Sequence, residues 1–458
     1  MPTHPAHGND SRISFWRRVR EYAVPPSMIE SATARRLAGD WAGACAAAHV
    51  EVDVRPRDVA RVHGRELADR VRNDLRRLAP DLLRWHLPRS APDGLLRPGI
   101  TVPLARYPGE RPAVLVVRTP PAWAEYGQRI SLALRDGSAG DGRSPHPHPH
   151  PSRRFRLDLH RHLWDAGRSA ELAARSGAAP PTGGPGQGPG LAEPSWAVDR
   201  WAAEAGLLLR AEGLPAGPVV VRLGRRRRLL IGPDGSVAEA FGDTSGLPLL
   251  PDAATWVPPD LDLLRSGAIE AHRLHPLVAA ALAPGHSVPA RAAAGPRHRR
   301  MVECRGAWHR IGLVDGVLVP LDHDPAELRR EELLAELSGT PLPCLRAIDL
   351  AHRSPNELSG VRERLDHGDT AGALAAVEAL IGPEAVLRDG PLRDELTAAA
   401  RRRIVYGLYR AGLTGATRPV AYLLPRARFG SRPTAFPADR PRPRHSSFRD
   451  HPRMAYTR

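Results

Sequence analysis

The chain has 458 residues, 42% apolar and 25% charged, a globular composition with room for two to four domains, while 48 Pro, about twice the usual share, predicts long linkers between folded parts. The formal net charge is +16, and every one of the 66 residues counted as Lys plus Arg is Arg, which excludes a Walker A phosphate loop, a protein kinase of the usual kind and a pyridoxal-phosphate Schiff base, since each needs a Lys. Cys45, Cys304 and Cys344 are too few and too far apart along the chain to suggest a disulfide framework or a structural zinc site. No apolar run or leader points to a membrane, so a soluble cytoplasmic protein without metal or cofactor is expected.

Residues 1–14 are polar and expected to be frayed. Phe15, Trp16, Val19 and Tyr22 make a short amphipathic piece that Pro25 and Pro26 stop. Ser27 and Glu30 have capping-box spacing for a helix with Ile29, Ala32 and Leu37. After a turn at Gly39, Trp41, Ala44, Cys45 and Ala48 stripe a second helix, and Leu67, Val71, Leu75 and Leu78 a third. These place an α-helical unit at 15–88. From Ile100 the period changes, and Ala113 to Arg118, Arg129 to Arg135 and Phe155 to His160 read as short strands of one antiparallel sheet in a unit over 100–176. Its loop carries His146, His148 and His150, each flanked by Pro. Such repeats are extended and solvated and fix no metal geometry.

Residues 177–193 form a Pro/Gly-rich linker. Over 194–300 a helix containing Trp196, Trp201 and Leu208 precedes a three-strand meander, Val219 to Leu223, Arg226 to Ile231 and Val237 to Phe241, followed by an Ala-rich helical piece. Arg300 to Gly412 is the densest stretch. It opens with a β-hairpin, Ala307 to Leu313 and Val317 to Leu321, about Asp315 and Gly316, whose residue types suit a type I′ turn. Four helices follow: Asp324 caps the first, Ser354 and Glu357 start the second, and the last carries a row at Leu396, Ala400, Ile404 and Leu408. Together they are expected to pack as a bundle against the hairpin, giving a unit at 301–413.

The turn Arg364, Leu365, Asp366, His367, Gly368, Asp369, Thr370, Ala371, Gly372, Ala373 resembles that of a tetratricopeptide helical hairpin, and Arg36, Leu37, Ala38, Gly39, Asp40, Trp41, Ala42, Gly43, Ala44 repeats it with the small Ala at the same offset from Gly. The resemblance implies helix-turn-helix interaction units. It covers only these two stretches, and no tandem period of about 34 residues joins them. In its Arg and Ala excess and lack of Lys, the chain resembles proteins of high-GC actinobacteria, a likeness of composition that assigns no function.

Charge is concentrated at the end: residues 414–458 hold ten Arg against Asp439 and Asp450, half of the net +16, and read as a basic disordered tail. Arg440, Arg442, Arg444 and Arg449 in that tail, with Arg225, Arg226, Arg227 and Arg228 on a solvated edge strand, are the candidate nucleic-acid contacts. His160, His162 and Asp165, then His272 and His275, then Asp322, His323 and Asp324 are polar groups at element ends. None matches the spacing of a zinc hydrolase. The expectation is an α+β protein of several small units, helical hairpins plus short antiparallel sheets, that acts without catalysis by binding other proteins. The alternatives are an Arg-mediated nucleic-acid binder and an enzyme whose site is assembled from distant positions.

Overall fold

The computed structural model describes residues 6–136, 146–177, 196–224, 227–285, 301–304, 306–314, 317–320, 322–324, 326–330, 333, 343–345, 355–381 and 391–413. Its class is α+β, with helical hairpins and small, mostly antiparallel sheets. The first helix, α1 (Ala6–Tyr22), starts well before Phe15. Helix α2 (Pro26–Leu37) opens on a proline, where the missing N–H costs nothing, and turns through Gly39 into α3 (Trp41–Ala47). After β1 (Val50–Val52) come α4 (Pro56–His63), α5 (Arg65–Arg77) and α6 (Pro80–His86). Leu67, Val71 and Leu75 lie at spacings of four and are buried together.

Strand β1 decides how this region is joined to the next. It has three residues, too short to leave a periodic signal, and it pairs parallel with β4 (Ile130–Arg135). Strand β4 pairs antiparallel with β3 (Ala113–Arg118), and β3 with β2 (Thr101–Tyr107), so the sheet order is β1-β4-β3-β2. Pro103 sits on edge strand β2 at a bulge, where a missing donor is tolerated. Because the helical region contributes a strand, 15–88 and 100–176 share one core, in which Val71, Leu75, Leu82 and Trp85 meet Val102, Leu104, Leu115, Ile130 and Trp164. Residues Phe155 to His160, expected as a strand, fold as turns in which the N–H groups of Leu159 and His160 donate to carbonyls three residues back instead of to a neighbouring strand. The short helix α7 (Glu171–Arg175) follows.

A second core lies between α8 (Val198–Ala211) and the meander β5 (Val219–Leu223), β6 (Arg227–Ile231) and β7 (Val237–Glu239), with Trp201, Leu208, Val221, Leu229 and Ile231 buried in it. Three short helices come next: α9 (Asp252–Thr255), α10 (Pro259–Arg265) and α11 (Pro276–Leu282). Leu263 and Val278 of the last two return to the first core. Asp260 on α10 is fully buried and accepts from Arg20 Nε at 2.7 Å and Nη2 at 2.8 Å, tying the chain across 240 positions.

The last region begins with β8 (Met301–Cys304), β9 (Ala307–Val314) and β10 (Val317–Pro320), in the order β10-β9-β8. The hairpin is thus a three-stranded sheet, and its Asp315-Gly316 turn lies outside the described residues. Asp324 does cap, its carboxylate accepting from Ala326 N at 3.0 Å. Helices α12 (Pro355–Asp366) and α13 (Thr370–Ile381) form a hairpin with Val361, Leu365, Ala373 and Val377 between them.

Helix α14 (Pro391–Arg410) is anchored differently from the expected row. Ile404 is 62% exposed, while Tyr406 and Tyr409 are buried against Trp123 and Tyr126, with Trp123 and Tyr409 edge to face at 5.5 Å. Aromatic area at the helix end outweighs the aliphatic stripe. These helices share cores with one another and with 123–126.

Candidate functional site

Both helical hairpins turn by the same device. In α2/α3 the Asp40 carboxylate accepts from Gly43 N at 2.8 Å and from Arg35 Nη1 at 2.9 Å. In α12/α13 the Asp369 carboxylate accepts from Gly372 N at 2.9 Å and from Arg364 Nη1 at 2.8 Å. A Cβ on Gly43 or Gly372 would collide with that carboxylate, so the glycine three residues after the Asp makes room for the pair. Hydrogen bonding to the Gly43 N–H and to Arg35 holds Asp40 below its ordinary carboxylate range.

The two hairpins, far apart in sequence, both line one cleft of about 500 Å³. One wall is Ser27, Ser31 and Arg35 of α2 with Gly43 and Ala47 of α3. The other is Gly368, Asp369, Thr370 and Ala371, and Tyr126, Gly127 and Arg129 join them. Arg84 from α6 fastens the arrangement. Its side chain is fully buried, and its guanidinium donates to the carbonyls of Ala23 (3.3 Å), Gly127 (3.3 Å), His367 (3.0 Å) and Gln128. Planar forked donors suit this role, which a Lys could not fill at four acceptors. Burial lowers the pKa of Arg84 to about 10, still charged at neutral pH.

His49 lines the cleft between α3 and β1 with φ 56, a conformation uncommon outside glycine, and its Nδ1 is buried with no hydrogen-bond partner among the described residues. Burial first, then the charges of Arg84 and Arg129, lower its pKa to about 4. It is therefore a neutral donor or acceptor at physiological pH and a weak base. Arg129 lies 3.5 Å from Glu51, and Arg35 is bonded to Asp40, so both guanidinium groups are oriented at the cleft wall.

The basic run is placed less simply than expected. Arg225 and Arg226 lie outside the described residues, as do Arg440, Arg442, Arg444 and Arg449. Strand β6 is the central strand of its sheet, not an edge: Arg227 and Arg228 pair with Leu223 and Arg222 of β5, while β7 pairs only with Leu229 to Ile231. The Arg227 guanidinium lies 5.2 Å from the Trp196 ring centroid, and Arg228 Nη1 donates to Thr244 Oγ1 at 2.8 Å.

Most of the histidine groups have structural partners. His146, expected in a solvated loop, is buried, with Nε2 2.9 Å from the Thr119 carbonyl oxygen and Nδ1 accepting from His148 N at 3.2 Å. Packing of residues 146–152 along β2, where Ser152 N donates to the Thr101 carbonyl at 2.8 Å, draws it inward. His160 sits 3.3 Å from buried Glu204, and His275 Nε2 is 3.0 Å from Asp81, with Nδ1 accepting from Leu277 N at 3.2 Å at the start of α11.

His323 is placed beside two cysteines. One ligand atom each of Cys304, His323 and Cys344 lie within 4.8 Å of one another, and both cysteines are fully buried. Separations of 19 and 21 residues along the chain hide this proximity from the sequence. Only tertiary folding brings the donors together.

No protein-family model, curated protein or solved structure matches the chain.

Proposed function

We propose that this protein is a non-enzymatic interaction component whose cleft between the two Gly-Asp hairpins receives a short acidic segment of a partner protein. The observation that carries this reading is the convergence of both hairpins on one cleft with Arg35 and Arg129 at its wall, against a single lining carboxylate, Asp369, already engaged by Arg364 and Gly372. About 500 Å³ is within the range of sites that enclose a small ligand or a few residues of an extended chain. The chain's own strongly basic 414–458 does not complement this wall, so the occupant is a separate molecule. The weak basicity of His49 argues against acid-base chemistry here at neutral pH. No described helix is long and apolar enough to cross a membrane.

The test uses the full-length protein and fluorescein-labelled octapeptides rich in Glu and Asp, with Lys-rich octapeptides as controls, read by polarisation. Arg129→Gln together with Arg35→Gln should weaken binding of the acidic peptide by at least about tenfold, a loss of about 1.4 kcal/mol, and added salt should weaken wild-type binding. Equal affinity for both peptides, or binding unaffected by the double substitution, would remove the cleft from this role. Salt-sensitive capture of DNA or RNA that survives the double substitution would favour the nucleic-acid reading instead.

A further inference from the structure

We propose that Cys304, His323 and Cys344 form a zinc site that ties β8 to the residues following β10. The argument begins with strand alternation. Pairing of β8 with β9 sets Val302 opposite His309 and Cys304 opposite Ala307, so Val302, Cys304 and His309 share one face of the sheet. The other face carries Glu303 and Trp308, both exposed, Trp308 at 64%. His323 follows β10, and Cys344 sits in a helical turn at 343–345. Both arrive on the Cys304 face.

One feature of this face has no account in protein contacts alone. The His323 side chain is 4% exposed and its Nε2 is buried without a hydrogen-bond partner among the described residues, with the His309 ring stacked on it at 4.1 Å and 15°. Burying such a nitrogen without a partner is unfavourable, and coordination satisfies it.

The donor set selects the ion. Two thiolates and an imidazole suit Zn²⁺, whose Zn–S and Zn–N bonds of about 2.3 and 2.0 Å place tetrahedral donor atoms roughly 3.5 to 3.8 Å apart. The Cys304, His323 and Cys344 donors already lie within 4.8 Å of one another. Binding releases the two thiol protons to solvent and changes no oxidation state. The site has these three protein donors, with His309 stacked on His323 beside them. It is independent of the cleft and of the function proposed for it.

The experiment is metal analysis of the purified full-length chain by elemental and native mass spectrometry, followed by cobalt substitution after chelation under reducing conditions. Wild-type protein should carry about one zinc per chain. Cys45→Ser, which alters a buried cysteine of α3 outside the cluster, should carry the same. Cys304→Ser, His323→Ala and Cys344→Ser should lose it. Should those variants fail to fold, the wild-type titration still decides. Stripped wild-type protein taking up one Co²⁺ with thiolate-to-cobalt charge-transfer absorption supports the site, and absence of that absorption overturns it. A Cys304–Cys344 disulfide in place of metal, or zinc retained in Cys304→Ser, would also overturn it.

Discussion

At Gly39 the chain turns with φ 79 and nothing lies within 4 Å of where a Cβ would stand. At Gly368, with φ 86, a Cβ would collide with the carbonyl oxygen of Gly127. The two hairpins are locally alike, with the same left-handed glycine, the same Asp cap and the same Arg five residues before it. What differs is what each turn touches. The first turn faces solvent, and its Arg35 and Asp40 side chains are about half exposed, at 56% and 47%. The second is pressed against Gly127 backbone to backbone, and its Asp369 side chain is 7% exposed. The same device therefore serves as an independent stop signal at one place and as a docking surface at the other.

The largest effect that should separate them is Gly368→Ala. It combines a positive φ, costing roughly 1–2 kcal/mol for an L side chain, with overpacking against a fixed backbone, costing about 1–3 kcal/mol more. A loss near 3 kcal/mol in urea unfolding of the full chain is expected, with displacement of α12/α13 from Gly127 and weaker peptide binding in the cleft. A loss under about 1 kcal/mol would mean that the close approach of Gly368 and Gly127 is not a real constraint.

Gly39→Ala should cost only the backbone term, about 1–2 kcal/mol, because the added methyl meets open space. The comparison is sharpened if peptide binding is unchanged in this variant while Gly368→Ala loses it. If both substitutions cost the same, the tertiary contact at Gly368 contributes nothing beyond the turn.

The features legible from sequence are those that a few neighbouring residues specify. Gly39-Asp40 and Gly368-Asp369 announce their turns through residue type alone, and β3 and β5 begin and end where apolar runs begin and end. The cleft was not legible, because nothing local records that Arg35 and Gly368 line one cavity. Nor was Arg84, one Arg among 66, whose four carbonyl partners come from three separate segments. Strand β1 is too short for a period. The convergence of Cys304, His323 and Cys344 depends on how β8–β10 and the turn at 343–345 are packed.

The smallest effect concerns protonation at the cleft. Burial lowers His49 to about 4 and His367 to about 3, from an ordinary 6.5, so both are neutral at pH 7. As the pH falls below 6.5 the unfolded chain takes up protons that the folded chain refuses. The contribution of His49 to stability is therefore complete above pH 6.5 and lost progressively between pH 6.5 and about 4. His49→Asn keeps a residue type that tolerates positive φ and removes the titrating group. Between pH 7 and pH 5.5 wild-type protein should lose about 1 kcal/mol more than this variant in urea unfolding. His367 is present in both proteins and cancels in the difference. Parallel pH profiles for the two proteins would mean that the His49 imidazole reaches solvent through the cleft. The wall beside the exposed turn would then be wetter than its buried counterpart at Gly368, and the contrast between the hairpins would extend into the cleft itself.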